Sequence, residues 1–376
     1  MEGRIAVYAL HARGGDCFVV DFGNGHALLI DGGFKENCRK ELIPLLNRLN
    51  KKGVVLDYVI LTHYDSDHIN GLIEFMSENG RFGSEKIIKV GGVIANGFSN
   101  VVKHDGEVEG RAVDAVSQYP VENEISAKDE YSFEMLCLEN GYTINQFKEG
   151  QGVICEDKVK QNGYEIRFVS PSREQLDNYY AEMINKAKND GTALTELNLQ
   201  NIAINSQVRS GVVVFSEQDI CSCGVDDIMN WTELEYTRTL SMPNQSCLAF
   251  EILFRGKTLL FCGDADMNAY RDSLRQRYDF IKLSHHGTVR GNECFFGDGK
   301  VVADKYLVST DGSHRIRNHP SKRLLGELLT DGRKKTVYFN YDISETSNED
   351  FSLLRNEELQ CIYGFYIRLG RNCILV

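Results

Sequence analysis

Thr62-His63-Tyr64-Asp65-Ser66-Asp67-His68 decides how this chain is read. Four potential metal donors, His63, Asp65, Asp67 and His68, fall within six residues. They follow the apolar run Leu56-Asp57-Tyr58-Val59-Ile60-Leu61, which reads as a buried strand. The next stretch, Ile69-Asn70-Gly71-Leu72-Ile73-Glu74-Phe75-Met76, has apolar residues at helical spacing. The donors therefore sit on a turn between a strand end and a helix start. Imidazoles and carboxylates crowded there make poor core and a repelling surface, and one or two divalent ions would resolve the repulsion.

Outward from that turn, further strand ends carry polar punctuation. Arg13-Gly14-Gly15-Asp16-Cys17-Phe18-Val19-Val20 and Leu28-Leu29-Ile30-Asp31-Gly32-Gly33 precede it. After a long interval, Asn244-Gln245-Ser246-Cys247-Leu248-Ala249-Phe250 leads into Thr258-Leu259-Leu260-Phe261-Cys262-Gly263-Asp264. Phe280-Ile281-Lys282-Leu283-Ser284-His285-His286-Gly287-Thr288 follows, then Leu307-Val308-Ser309-Thr310 and Asn318-His319-Pro320-Ser321. Taken together, these elements resemble the metallo-β-lactamase fold superfamily, whose signature is His-x-His-x-Asp-His. With Asp65 in the second position, the form here is similar to the ComEC-like subgroup and to phosphorylcholine esterases. The resemblance covers both ends of the chain and little of residues 100 to 240.

The resemblance implies an α/β (α+β) fold: an αββα sandwich of two mixed sheets with helices outside. It also implies two divalent ions, Zn²⁺ or Mn²⁺. His63 and Asp65 would hold the first, Asp67, His68 and His286 the second, and Asp264 would bridge. His285 would face substrate or brace the site, since adjacent histidines do not easily serve one ion. His319, before Pro320, would donate a proton or touch phosphate rather than merely cap a helix. Asp67 would orient the attacking water as well as bind metal. Asp16 and Asp31 read as supporting residues. Most members of the superfamily carry another histidine at the turn matching Ser170-Pro171-Ser172, and this chain has none. Water or substrate would complete the first ion's shell. His104 is an alternative donor but reads as a surface-loop residue. Asp65 in place of histidine hardens the first position and suits Mn²⁺ better than three histidines would.

The implied chemistry is hydrolysis by metal-activated water, foremost of phosphodiesters, as in a nuclease. A small-molecule phosphoester or cyclic-nucleotide hydrolase is the second reading, and a regulatory module with a vestigial site the third. Of the 376 residues, 42 % are hydrophobic and 26 % charged, with a net charge of −12. That balance disfavours a protein gripping long duplex nucleic acid, which needs a basic face. Arg271, Arg275 and Arg277, and Arg333-Lys334-Lys335, read as solvated faces. A local single strand or small phosphoester is the expected partner. No run has the length of a membrane span and no signal-peptide core follows Met1-Glu2-Gly3-Arg4, so a cytoplasmic protein is expected. The eleven cysteines are odd in number and read as reduced thiols. Cys17, Cys247, Cys262, Cys361 and Cys373 are placed in strands, and Cys221-Ser222-Cys223 in a loop.

Residues 1 to 100 read as strands interleaved with a helix over Cys38–Leu49, with a last strand over Ile87–Ile94. Another strand is expected over 163 to 171, and alternating strands and helices over 246 to 376. Residues 101 to 150 and 173 to 243, the latter with a helix over Glu174–Lys188, read as insertions into one domain spanning 1 to 376. A separate small domain over 172 to 243 is the alternative.

Overall fold

Strand alternation sorts apolar side chains into different cores. In β2 (Phe18–Asp21), Phe18 and Val20 enter one core and Val19 another. In β3 (His26–Ile30), Leu28 and Ile30 oppose Ala27 and Leu29 in the same way. In β4 (Val55–Ile60), Val59 and Ile60 part likewise. Period-two alternation of this kind requires a sheet covered on both faces. The computed structural model describes residues 4–80, 86–97, 100, 127–179, 227–231, 244, 246–296, 301–312, 319–345 and 349–376. His104, Cys221-Ser222-Cys223, Asn318 and most of the two expected insertions lie outside the described residues.

With β1 (Ala6–Ala9), β5 (Val93–Ile94) and β14 (Cys373–Leu375), these strands make a six-stranded sheet ordered β14-β1-β2-β3-β4-β5. The second sheet has eight strands: β6 (Lys158–Gln161), β7 (Tyr164–Ser170), β8 (Ala249–Phe254), β9 (Lys257–Phe261), β10 (Arg277–Lys282), β11 (Val302–Val308), β12 (Lys335–Phe339) and β13 (Phe365–Arg368). Their order is β13-β12-β11-β10-β9-β8-β7-β6. The sheets face each other across Phe18, Leu28, Ile60, Phe168, Phe250, Phe261, Phe280 and Leu307. Helix α1 (Lys35–Asn37, Cys38–Leu42 and Ile43–Asn50), α2 (Ser66–Gly80) and α3 (Ala127–Glu139) cover the outer face of the first sheet. Helices α4 (Lys322–Leu329) and α5 (Glu357–Tyr363) cover that of the second. The chain is thus a four-layer αββα sandwich with mixed sheets.

Local chemistry explains several details. The wide π-type turn Cys38–Leu42 precedes Pro44, which has no N–H to donate to the carbonyl four residues back. Asn356 caps α5, its side chain accepting from the Glu358 and Leu359 amides. The strand expected over Ile87–Ile94 is reduced to Val93–Ile94, with one bridge from Val90 to Leu56. Gly91-Gly92 is the cause: a β-carbon on Gly91 would lie 2.7 Å from the Asp57 carbonyl oxygen, so the chain passes too close there for a regular pleat. Residues 173–179 are helical, the described part of the expected Glu174–Lys188 helix. Part of the first expected insertion is core rather than decoration. Phe133 and Cys137 of α3 are buried against α2, and Asn145 pairs through its side chain with both backbone groups of Ala95. All nine described cysteines are free thiols. Cys361, expected in a strand, is exposed on α5 instead, where a polar helix face tolerates it. Among the described residues no helix is long and apolar enough to cross a membrane.

Phe261 is a hub of the inter-sheet core. Its ring lies 5.8 Å from Phe18, 5.8 Å from Phe250 and 5.6 Å from Phe280. Phe261→Ala should lower stability by about 3–5 kcal/mol through lost burial and the cavity left behind. Urea unfolding measures it as a reduced midpoint. A loss under about 1 kcal/mol would show that the two sheets do not pack as described.

The parallel strands aim one edge of the sandwich. β3 runs parallel to β4, and β9, β10 and β11 run parallel to one another. Their C-terminal ends deliver Asp31, the turn His63 to His68, Asp264, His285-His286 and Thr310 to the same rim.

Candidate metal centre

The donor turn leaves β4 in extended conformation and becomes helix at Ser66. The Asp65 carbonyl accepts the first helical bonds, from the His68 and Ile69 amides at 2.9 and 3.1 Å. That places Asp67 and His68 in the first turn of α2, facing the rim. The helix can lie there because Gly71 touches Gly32, where a β-carbon would be 1.8 Å from the Gly32 carbonyl oxygen. This contact brings Asp31 under the donor turn.

Asp31 fixes the imidazoles. One of its oxygens accepts from the Thr62 amide at 2.8 Å. The other accepts from the Thr62 hydroxyl at 2.7 Å and from His68 Nδ1 at 2.8 Å. With its own proton on Asp31, the Thr62 hydroxyl oxygen receives His63 Nδ1–H at 3.1 Å. His286 Nδ1 donates to the Ser309 carbonyl at 3.0 Å. Each of the three rings thus places Nδ1–H on an acceptor, as these partners dictate, and turns Nε2 inward, where an ion would take the place of any proton.

These three nitrogens, and that of His285, converge on one oxygen. Oδ2 of Asp264 lies 3.9 Å from His63 Nε2 and 3.7 Å from each of His68 Nε2, His285 Nε2 and His286 Nε2. His63 Nε2 also lies 3.6 Å from Asp65 Oδ2, and His286 Nε2 3.7 Å from Asp67 Oδ2. Nε2 of His63, His68 and His286 is buried and has no hydrogen-bond partner among the described residues. Buried polar atoms are rarely left so. The spacings are too long for hydrogen bonds. Those between His63, His68, His286 and the carboxylates suit donors that share an ion at bond lengths of about 2.0–2.2 Å. His63, His68 and Asp264, and separately Asp67, His68 and His286, lie close enough to hold an ion. The residues fit divalent metal.

Beneath these donors is a buried cation. Lys282, fully enclosed, forms an ion pair with Asp16, donates to the Gly263 carbonyl at 3.0 Å and lies 3.9 Å from Asp264 Oδ1. Asp16 Oδ1 in turn lies 3.5 Å from His286 Nδ1. Burial works against the Lys282 charge, but Asp16 and Asp264 outweigh it and hold its pKa above the ordinary lysine value. Burial likewise disfavours the Asp264 carboxylate, yet the ring of imidazoles keeps it well below the usual range. His68 is depressed by burial and by His63, and raised more by Asp264 and Asp31, to about 9. Without ions the site therefore holds a proton on His68 below that pH. Ion binding must displace it, so apparent affinity should weaken as pH falls below about 9. Calorimetric titration with Zn²⁺ at several pH values measures this, and an affinity independent of pH would contradict it.

The two adjacent histidines differ. Both adopt left-handed backbone, with φ of 46° at His285 and 55° at His286, and this bend brings both rings to Asp264. Such conformations cost energy in non-glycine residues and concentrate at functional sites. His286 is enclosed, whereas 21 % of the His285 side chain is exposed. Burial lowers His285 to about 4 against the pull of Asp264, so the ring is neutral near pH 7. The His319 ring lies 4.7 Å from that of His285 and 5.6 Å from that of His286.

All six expected ligands and the three expected catalytic residues therefore meet at one rim. The Ser170-Pro171-Ser172 turn brings no donor, and the Ser170 hydroxyl is engaged with the Cys247 carbonyl at 2.8 Å. Several participants were not anticipated. Cys247, read as plain core, accepts from the Asp264 amide through sulfur at 3.2 Å and lies 3.6 Å from His63 Nδ1. Thr62, Lys282 and Asn244 were also missed, although a lysine inside Phe280-Ile281-Lys282-Leu283 is a signal that an apolar strand needs its charge. Because Asp31 sets both His68 and Thr62, Asp31→Asn should weaken metal affinity about 10–100-fold. A metal titration of the folded variant reads this, and unchanged affinity would remove Asp31 from that role.

Residues 12–80, which include the donor turn, match the family described as Metallo-beta-lactamase superfamily. No curated protein sequence matches the chain. Among solved structures, the metallo-beta-lactamase fold protein YhfI from Bacillus subtilis is similar at 10 % identity and a TM-score of 0.37, over 99 % of this chain and 99 % of that one. Zn²⁺-bound PqqB from Methylobacterium extorquens is similar at 10 % identity and a TM-score of 0.39, again over 99 % of each chain. CmlA, a diiron β-hydroxylase from Streptomyces venezuelae, is similar at 11 % identity and a TM-score of 0.37, over 100 % of this chain and 54 % of that one. The segment matching the metallo-β-lactamase superfamily thus lies within a four-layer αββα sandwich whose rim gathers a donor set that fits divalent metal.

Proposed function

We propose that this metallo-β-lactamase-fold chain hydrolyses phosphodiesters with two divalent ions, on a short single strand of nucleic acid or a small phosphodiester. The observation that carries the reading is the donor chemistry around Asp264. His63 and Asp65 offer one nitrogen and one carboxylate to the first position, and no further histidine comes from the Ser170-Pro171-Ser172 turn. An oxygen-rich, incompletely filled position suits hard ions such as Mn²⁺, with Zn²⁺ also accommodated, and leaves room for phosphoryl oxygens. The Asp65 form of the signature, similar to the ComEC-like subgroup, supports the same bond type. The net charge of −12 favours a short or small substrate over a long duplex. The free thiols are consistent with a reducing compartment such as the cytosol.

When bound, the ions would activate water and neutralise charge at the phosphoryl group. His63 and Asp65 would hold the first ion, and Asp67, His68 and His286 the second, with Asp264 shared. The remaining work falls to side chains at the rim. Asp67, at the start of α2, accepts a proton of the attacking water and sets its direction. His319 returns a proton to the leaving oxygen. Lys282, anchored by Asp16, lies against Asp264 and helps hold it in place.

The protein loaded with Mn²⁺ or Zn²⁺ should cleave at least one of single-stranded DNA, RNA, a cyclic nucleotide or a chromogenic phosphodiester. It should leave β-lactam and thioester substrates intact. Turnover of a thioester alone would overturn the phosphodiester reading while leaving the metal centre standing.

A further inference from the structure

We propose that His285 is neither a metal ligand nor an acid, but a neutral hydrogen-bond donor to a substrate oxygen, its proton held on Nε2 by Asn244. The substrate part of this assignment rests on the hydrolase reading above; the tautomer does not. The four rings differ in what each meets at Nδ1. His63 meets the Thr62 hydroxyl oxygen, His68 the Asp31 carboxylate and His286 the Ser309 carbonyl, all acceptors. His285 alone of the four meets a donor, the side-chain Nδ2 of Asn244 at 3.4 Å. An N–H aimed at Nδ1 requires a lone pair there, and a neutral ring must then carry its proton on Nε2. A nitrogen with a proton cannot ligate an ion.

The orientation of the Asn244 amide matters, and burial decides it. Asn244 is 2 % exposed, and its Oδ1 has no hydrogen-bond partner among the described residues. Reversing the amide would set Oδ1 on His285 and bury an unpartnered NH₂ with two protons instead. Unsatisfied buried N–H groups are rarer than under-satisfied oxygens, so the orientation with Nδ2 on His285 is favoured.

The Nε2–H so formed is available. It points toward Asp264 Oδ2 from 3.7 Å, too far for a hydrogen bond to consume it. His285 is also partly exposed where His286 is enclosed, so it is the ring that a ligand above the ions can reach. The backbone holds it there. The His285 amide donates to the Gly263 carbonyl at 3.0 Å, tying the end of β10 to that of β9. A fixed neutral donor needs no reorganisation as negative charge grows on a phosphoryl oxygen. Asn244 does not reach the reacting atoms; it is a positioning residue.

Selective ¹⁵N-histidine labelling of the Zn²⁺-loaded chain, read by long-range ¹H–¹⁵N correlation, tests the tautomer without any substrate. His285→Gln and Asn244→Asp assign the signal. His285 should be the Nε2–H form, while His63, His68 and His286 are Nδ1–H. Asn244→Asp, whose carboxylate accepts, should move the His285 proton to Nδ1. His285→Gln should keep the metal content of the wild type, since glutamine is not replacing a ligand. On a cleaved phosphodiester it should lose about 10²–10³-fold in kcat, as for loss of one fixed donor. A wild-type His285 with its proton on Nδ1 and a metal-shifted Nε2, or loss of an ion in His285→Gln, would overturn the proposal. Failure to find any cleaved phosphodiester would bear on the functional reading and leave the tautomer result intact.

Discussion

Asp264→Asn is expected to lose bound metal and activity together. The substitution keeps size and shape, so the strand end and its Gly263 turn should survive. What changes is charge at the one oxygen that four imidazole nitrogens surround at 3.7–3.9 Å. A neutral amide cannot serve as the shared anionic donor of two cations, and it leaves Lys282 with Asp16 as its sole close carboxylate. Removing a partner that merely orients a ligand typically costs about 10–100-fold in metal affinity, and loss of a shared donor should exceed that. Metal content should fall below one ion per chain, and turnover of any cleaved substrate should fall more than about 100-fold. Wild-type metal content and turnover in the folded variant would remove Asp264 from the centre of the account.

His319→Gln is expected to act on chemistry and spare metal. Its ring lies 4.7 Å from that of His285 between centroids, tilted by 54°. An imidazole can take up and give up a proton, and a glutamine amide cannot. Turnover should drop by about 10²–10⁴-fold, the usual range for a general acid, with metal content unchanged. The loss should shrink on a nitrophenyl ester, whose leaving group departs without protonation. Equal losses on good and poor leaving groups would assign His319 to substrate positioning instead.

Residues contiguous in sequence were the legible ones. His63 to His68 read as a donor turn because a strand and a helix flank it. Gly263-Asp264 and His285-His286 read similarly, each following a strong apolar strand. An α/β sandwich followed from strands alternating with helices at both ends of the chain, and its two mixed sheets from the family resemblance. What escaped depends on contacts between distant segments. Cys247 looked like any small buried hydrophobe, and only the packing of β8 beside β9 sets its sulfur on the Asp264 amide. Lys282 finds Asp16 across 266 positions of sequence, from the opposite sheet. Asn244 carries no signature until His285 folds beside it. Residues 127 to 150 looked polar enough for decoration, yet Phe133 and Cys137 complete a core under α3. The strand expected over Ile87–Ile94 falls short because Gly91 passes close to the Asp57 carbonyl, a contact with a distant segment that the local run does not show.

The central claim is that one rim of the sandwich holds two ions around a shared carboxylate. Elemental analysis of the purified chain, stripped and then reloaded with Zn²⁺ or Mn²⁺, tests it most directly when run beside His63→Ala and His286→Ala. The account predicts two ions per wild-type chain, and a reduced content in each variant because each loses a ligand of a different position. A wild-type chain that binds no ion, or variants that both keep the full wild-type content, would contradict it.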